Sequence, residues 1–170
     1  MTTHRCPSWC QKREGYEVTI IGTSGDGSHP QPVETALLTG AAESIWAGSM
    51  AVVTIQLEVS DRLKKTMEQH GVCPLESVFI TDSDIRHIMR RHTSREKERG
   101  QLSIAPNDFA SLPAVLNDFD TCEHTDTDKL GNKKFLLTKR IGDVYYAVTI
   151  QRGKRKLQVK TMWKRPGASC

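Results

Sequence analysis

The sequence lacks a run of apolar residues long enough to cross a bilayer, which takes roughly 18–20 residues in a helix. Its least polar window, residues 35–53, is interrupted by Glu43 and by several glycines and serines. The N-terminal segment places no apolar stretch after its basic residues, so it does not have the pattern of a signal peptide. We therefore expect a cytoplasmic protein with no membrane partner.

Cysteine is scarce and irregularly placed, and no metal-binding pattern is complete. The five cysteines are odd in number and scattered, which is not typical of a disulfide framework. Cys6 and Cys10, with His4 nearby, could supply half of a zinc site, but no second half with usable spacing follows. The sequence also lacks a phosphate-cradling glycine loop, a serine nucleophile elbow and the paired carboxylates of a metal nuclease. We expect no metal and no cofactor.

Acidic residues are almost absent from the last third of the chain. Residues 129–165 hold twelve Lys/Arg and one acid, Asp143, an excess of +11. Residues 1–128 hold the other twelve Lys/Arg and nineteen acids, a net charge of −7. A chain divided in this way is typical of proteins that bind a polyanion, and nucleic acid is the first candidate. The alternative is a solvated basic face on an ordinary domain.

Regular patterning begins near residue 51. Residues 1–50 are poorly patterned and contain a turn-rich linker, with a short strand at 18–21 and a weak helix at 35–49. We interpret them as an N-terminal extension, followed by one domain over residues 51–165 and a short tail at 166–170. The first elements predicted in the domain are a strand at 52–59, a helix at 61–70, an extended segment at 78–80 and a helix at 82–92.

The second part of the domain changes from helical period to strand period. A helix is predicted from about residue 103, and Pro113 interrupts it. From Phe119 onward the period is two, which predicts strands at 119–124, 134–141, 144–151 and 157–164. The expected architecture is an α+β fold in which helices pack on one face of a small antiparallel four-stranded meander sheet.

Alternation assigns the predicted strands two faces. The side expected to pack on the helices carries Phe135, Leu137, Val148, Ile150, Leu157, Val159 and Trp163. The side expected to be open is polar and basic, and we predict that six of its residues bind substrate: Lys134, Thr138, Tyr145, Thr149, Gln151 and Gln158. Lys160 falls on this open side and Thr161 on the packed side, unless a bulge re-aims the strand.

The helix at 82–92 contains two histidines. Ile85, Ile88, Met89 and His92 share one face at helical spacing, so His92 is expected to lie at the edge of the core. His87 is about 200° from Ile85 and points away from that face. It could act as a general base, or it could be an ordinary exposed histidine.

Metal-free RNA cleavage needs a base for the 2′-OH, an acid for the leaving oxygen and a donor or cation for the charged phosphate. The residues that could supply these groups are His87, Arg99, Gln101, Lys160 and Thr161. The sequence alone does not show that they meet in space.

Several short motifs, in order, carry a family resemblance. They are residues 80–87 (ITDSDIRH), 99–101 (RGQ), 104–109 (IAPNDF), 112–119 (LPAVLNDF), 128–132 (DKLGN) and 160–163 (KTMW). On these motifs, residues 78–164 resemble the phage-associated branch of the barnase–EndoU–colicin–RelE-like nucleases. The resemblance implies the same barnase/RelE-like fold, RNA cleavage without metal, a helix histidine at His87, and a last-strand polar residue at Thr161 with Lys160 beside it.

We therefore expect a metal-independent endoribonuclease of phage or prophage origin, which cleaves RNA by 2′-OH attack to a cyclic phosphate. Replacing His87 by alanine should abolish this cleavage. The alternatives are a non-catalytic nucleic-acid-binding module and a phage structural or interaction protein. The expected partners are RNA and, depending on context, a phage structural protein or an inhibitor or immunity protein.

Overall fold

The computed structural model describes residues 18–21, 32–92 and 100–167 of the chain. Within these ranges the chain forms one seven-stranded sheet, whose strand order is β1-β2-β3-β7-β6-β5-β4. The strands are β1 (Val18–Ile21), β2 (Val53–Glu58), β3 (Ser77–Thr81), β4 (Thr121–Thr127), β5 (Lys133–Ile141), β6 (Val144–Arg152) and β7 (Leu157–Pro166). The helices are α1 (Pro32–Trp46), α2 (Asp61–Gln69), α3 (Asp82–Arg91), α4 (Leu112–Asn117) and a 3₁₀ helix (Pro106–Ser111).

The predicted meander is confirmed, but the predicted size of the sheet is wrong. Strands β4 to β7 pair in succession and antiparallel. The sheet then continues past β7, because β3 pairs with it in parallel through Val78 and Phe79. β2 and β1 extend the sheet beyond β3. Sequence pattern marked these segments as extended but carried no signal for their partners, since strand pairing is set by contacts between distant parts of the chain.

The helices form one layer that covers the buried side of the sheet. α1 contacts α3, α4 and the 3₁₀ helix, and α4 packs against β5 and β6. α1 lies in the region that we interpreted as an extension, yet Leu38 and Ala42 are fully buried in the common core. The expected α+β layering is therefore observed, and the region before residue 51 contributes part of the core.

The start of α3 is fixed by local sequence and by the sheet. Thr81 is the N-cap, and its hydroxyl accepts a hydrogen bond from the Asp84 backbone nitrogen at 3.2 Å. Asp84 closes the capping box, because its Oδ2 accepts from the Thr81 nitrogen at 2.9 Å. The same oxygen accepts from Nε2 of Gln158 on β7 at 2.8 Å. These bonds attach the first turn of α3 to the last strand.

A bulge in β7 decides which side chains of this strand reach the open side of the sheet. Val159 pairs with Ile150 and Thr161 pairs with Thr149, so Lys160 is the extra residue. Val159 and Met162 are both fully buried. Since side chains alternate along a strand, Lys160 and Thr161 both lie on the open side. The bulge thus resolves the conflict that strict alternation left between them.

The bulge also explains why one residue predicted to lie in the core, Trp163, does not. Six of the seven residues expected on the packed side are buried, namely Phe135, Leu137, Val148, Ile150, Leu157 and Val159. Trp163 is not among them, because the extra residue shifts the alternation and turns Met162 inward instead. Trp163 pairs with Ala147 and is half-buried on the open side.

A buried ionic network connects the 3₁₀ helix to the end of β7. Asp108 accepts hydrogen bonds from the Tyr146 hydroxyl and from Nζ of Lys164, both at 2.8 Å. It also accepts one from the backbone nitrogen of Ala105 at 2.7 Å. A buried carboxylate is tolerated when a cation and several donors satisfy it, and Asp108 has both. The network holds the loop before the 3₁₀ helix close to β7.

This network gives a testable alkaline titration. Burial, reinforced by the hydrogen bond to Asp108, raises the pKa of Tyr146 from 10.0 to about 12. The folded state therefore holds the phenol proton more tightly than the unfolded state, so this contribution to stability is complete below pH 10 and is lost as the pH rises towards 12. In a tyrosinate absorbance titration, we expect one of the three tyrosines to titrate late. Tyr146→Phe should remove that late step and leave the earlier absorbance change, and a variant that keeps the late step would contradict the assignment.

Candidate active site

The six predicted substrate-binding residues lie on one side of the sheet. Register places Lys134, Gln151 and Gln158 in one cross-strand row, and Thr149 pairs with Thr161 in the next. Thr138 and Tyr145 follow on the same side, at positions of even spacing along β5 and β6. The structure therefore brings these residues to a common surface, which we call the open face and define by Lys134, Thr138, Tyr145, Thr149, Gln151, Gln158, Lys160 and Thr161.

Many polar side chains of the open face already bond other groups of the protein. Gln151 donates to Asp128 at 2.8 Å, and Gln158 donates to Asp84 at the same distance. The Thr138 hydroxyl lies 2.6 Å from that of Thr121, and Lys134 lies 3.5 Å from Asp126. The guanidinium of Arg165 stacks over the Tyr145 ring at 5.3 Å. These partners fix the face in shape and leave fewer groups ready to bind substrate.

His92 contacts β7 at its bulge. Its Nε2 lies 3.2 Å from Oγ1 of Thr161, within hydrogen-bonding distance. His92 is the C-cap residue of α3 and is half-buried. Its carbonyl accepts from the Ile104 nitrogen at 2.9 Å, so the loop that follows holds it in place. A group able to exchange protons therefore touches a hydroxyl beside Lys160.

Lys160 adds a cation next to Thr161. It is the extra residue of the bulge and lies next to Thr161 on the same side of β7. Its side chain is half-buried and forms no ion pair with a carboxylate in residues 32–92 or 100–167. An ammonium that no described carboxylate neutralises can stabilise negative charge on a phosphate. We call His92, Lys160 and Thr161 the bulge cluster.

His87 does not take the place expected for it. Asp84 and His92 both bond side chains of β7, so the stripe of α3 that contains them and Ile88 faces this strand. His87 is displaced from Ile88 by about 100° around the helix. Its side chain is exposed, and it makes no hydrogen bond or ion pair with another described residue. The histidine beside the last strand is thus His92, in place of the predicted His87.

The prediction for His92 was half correct. The hydrophobic stripe placed it at the edge of the core, and it is half-buried there. The sequence did not show which strand this stripe of α3 faces, because neither the β3–β7 pairing nor the bulge could be located from the sequence. The useful signal was that His92 continues the spacing of Asp84 and Ile88 to the end of the helix.

Two further predicted residues, Arg99 and Gln101, belong to the segment of the sequence between α3 and the 3₁₀ helix. Arg99 lies outside the described residues. Gln101 is half-buried, and its Oε1 is enclosed without a hydrogen-bond partner among the described residues. The neighbouring Leu102 donates its backbone N–H to the Lys164 carbonyl at 2.8 Å. Gln101 is therefore held near Lys164 at the end of β7, the strand that also carries Lys160 and Thr161.

A model of the family described as phage-Barnase-EndoU-ColicinE5/D-RelE like nuclease3 matches residues 55–169. The chain belongs to this family. The family resemblance inferred from the short motifs is confirmed, and the chain carries a nuclease-family domain. No curated protein and no solved structure matches the chain.

The family match spans β2 to β7 and therefore includes α3 and the bulge cluster. Within residues 18–21, 32–92 and 100–167, no helix combines the length and apolar character needed to span a bilayer. In the same ranges, no group of three or more His, Cys, Asp or Glu side chains is placed to hold a metal ion.

Proposed function

We propose that this protein is a metal-independent endoribonuclease, of phage or prophage origin, that acts in the cytoplasm. The observation that carries the proposal is the contact between His92 and Thr161 beside the unpaired Lys160. Membership of a nuclease family supports the reaction class, and the basic last third of the chain supports a nucleic-acid substrate. Its partner is RNA, and an inhibitor or immunity protein would be needed in a toxin-like setting.

The bulge cluster offers the groups that the reaction requires. In the proposed mechanism, His92 removes the proton of the 2′-OH, and the 2′-oxygen then attacks phosphorus. The P–O2′ bond forms and the P–O5′ bond breaks, while the ammonium of Lys160 stabilises the added negative charge and donates a proton to the leaving 5′-oxygen. The base is Nε2 of His92, because Nδ1 is enclosed; the 2′-OH takes the place that the Thr161 hydroxyl occupies at Nε2 in the free protein. The products are a 2′,3′-cyclic phosphate and a free 5′-hydroxyl.

The direct test is cleavage of RNA by the purified protein in the presence of EDTA. We expect cleavage to continue, because no step of the mechanism uses a metal ion, and we expect the new 3′ ends to be 2′,3′-cyclic phosphates by mass spectrometry. DNA of the same sequence should remain intact because it lacks the 2′-OH nucleophile. Cleavage that stops in EDTA, or 3′-hydroxyl products, would contradict the proposal.

A non-catalytic nucleic-acid-binding module is the second candidate function. It is favoured by the unpaired cations of the β6–β7 turn, Lys154, Arg155 and Lys156, which are exposed and can contact phosphates without any chemistry. Salt-sensitive RNA binding without product, and without any effect of replacing His92, would favour this candidate over the nuclease.

A further inference from the structure

A pocket lies away from the bulge cluster, between the β4–β5 and β6–β7 turns. Its volume is about 220 Å³, and it is open to solvent on one side, so a phosphate group can enter it from solvent. Three lining side chains are cationic, Lys133, Arg152 and Lys154, and no lining residue is acidic. We call this site the distal cationic pocket.

The positive charge of this pocket is not neutralised within the described protein. Lys133, Arg152 and Lys154 form no ion pair with a carboxylate in the described ranges, and the same holds for Arg155 and Lys156 on the adjoining turn. Other cations of the basic third are paired: Lys134 with Asp126, Lys139 with Asp118 and Lys164 with Asp108. Unpaired charge around a concave surface raises the local concentration of anions.

The acid nearest to the β4–β5 turn in the sequence, Asp128, forms no ion pair with the three cations of the pocket. Asp128 is not a lining residue. Its carboxylate accepts bonds from the Leu130 and Asn132 backbone nitrogens, from the Asn132 side chain and from Gln151, all at 2.8–2.9 Å. Asp128 therefore shapes the β4–β5 turn and is occupied by donors of the protein.

Two of the cations are held in position by backbone carbonyls. Nζ of Lys133 donates to the His70 carbonyl at 3.0 Å, and Nε of Arg152 donates to the Cys73 carbonyl at 3.1 Å. A neutral carbonyl orients a cation without removing its charge. The pocket is thus organised before a ligand binds, which lowers the entropic cost of binding.

The distal cationic pocket lies away from the bulge cluster, where the proposed reaction takes place. Arg152 pairs with Leu157, and Thr161 lies three paired positions further along β7 when the bulge residue is not counted. At about 3.3 Å a residue, this separation is roughly 10 Å along the strand. Lys133 and Arg152 alternate with Lys134 and Gln151 of the open face, so their side chains lie on the packed side at the end of the sheet, and an RNA strand reaches the pocket by passing around the β6–β7 turn. We infer that the distal cationic pocket binds a second backbone phosphate of the RNA strand, away from the phosphate that reacts. This inference rests on the proposed function for the identity of the ligand.

The test compares two variants that each lose one exposed, unpaired charge. Lys154→Gln removes a cation of the pocket, and Lys65→Gln removes one from α2, outside it. The probe is a single-stranded 2′-O-methyl RNA oligonucleotide, which cannot be cleaved, and its affinity is measured by fluorescence anisotropy over a range of salt concentrations. We expect Lys154→Gln to reduce the slope of log affinity against log salt by about 0.7, the value for one phosphate contact with a single strand. Lys65→Gln should leave the slope unchanged.

A 2′-O-methyl dinucleotide is the length control, because it is too short to reach from the bulge cluster to the pocket. Its binding, followed by NMR titration, should be the same in the natural protein and in Lys154→Gln. Equal salt slopes for the two variants on the longer strand would overturn the inference, and so would a loss of dinucleotide binding in Lys154→Gln. Because both readouts are binding, a failure of RNA cleavage would reject the nuclease proposal without deciding this one.

Discussion

Replacing His92 by alanine should reduce the rate of RNA cleavage roughly 100- to 10,000-fold, the range for removing a general base. The reason is geometric. Nε2 of His92 touches Thr161 at 3.2 Å and lies at the bulge that also presents Lys160. The measurement is a single-turnover cleavage rate on a defined RNA, with the thermal unfolding of the variant recorded beside it to show that the fold is retained.

Two companion variants separate proton transfer from a structural role. His92→Gln can still bond Thr161 but cannot exchange protons at neutral pH, so it should be nearly as inactive as His92→Ala while keeping the stability of the natural protein. His87→Ala should change the rate little, because His87 is exposed and its side chain is off the stripe that meets β7. Full activity in His92→Gln, or inactivity of His87→Ala with normal folding, would return the catalytic assignment to His87.

The meander was predictable because its signals are local. Alternation along β5 and β6 is regular, and two of the predicted turn glycines, Gly131 and Gly142, have φ of 80° and 59°. This region of backbone conformation costs glycine little and other residues more. Strand bounds and facing directions on β5 and β6 therefore follow from the residues of the hairpin itself.

The candidate site was less predictable because it depends on two non-local facts. One is the parallel pairing of β3 with β7, which carries α3 to the last strand. The other is the bulge at Lys160, which alternation could suggest as a way to place Lys160 and Thr161 together but could not locate. With both in place, His92 is the histidine that reaches Thr161. The sequence thus indicated the helix and the strand of the candidate site. The histidine in contact with Thr161 is His92, whereas the prediction named His87, and the catalytic role of either residue stays a prediction.

The position of His92 also depends on groups outside the bulge cluster. Its carbonyl is bonded by Ile104, and two residues earlier Leu102 is bonded to the carbonyl of Lys164. The side chain of the same Lys164 is held by Asp108. Residues 102–108, which support His92, are therefore attached to β7 twice, by the backbone bond of Leu102 and by the ion pair of Asp108 with Lys164. Loss of Asp108 should therefore affect both the stability of the fold and the geometry of the candidate site.

Replacing Asp108 by alanine should accordingly be among the most destabilising single changes to this domain. Removing one partner of a buried ion pair typically costs about 3–5 kcal/mol, and here it leaves Lys164, whose side chain is 16% exposed, without its carboxylate. It also leaves the Tyr146 hydroxyl and the Ala105 N–H without their acceptor. For a chain of this size we expect the thermal midpoint to fall by on the order of 10 °C, measured by circular dichroism.

The matched control is Asp118→Ala, which removes a carboxylate that also pairs with a lysine but in a solvated setting. Asp118 lies 2.7 Å from Lys139 with its own side chain 70% exposed, and pairs with an exposed partner contribute about 1 kcal/mol or less. The Lys139 side chain is 16% exposed, like that of Lys164, but in Asp118→Ala it keeps the backbone carbonyl of residue 118 as an acceptor at 2.7 Å. A second variant, Asp108→Leu with Lys164→Met, removes both buried charges and should recover much of the loss, because apolar side chains of similar volume can replace a buried pair. Equal destabilisation by Asp108→Ala and Asp118→Ala would show that the Asp108 network does not anchor the loop beneath His92, and the link between stability and site geometry would then fail.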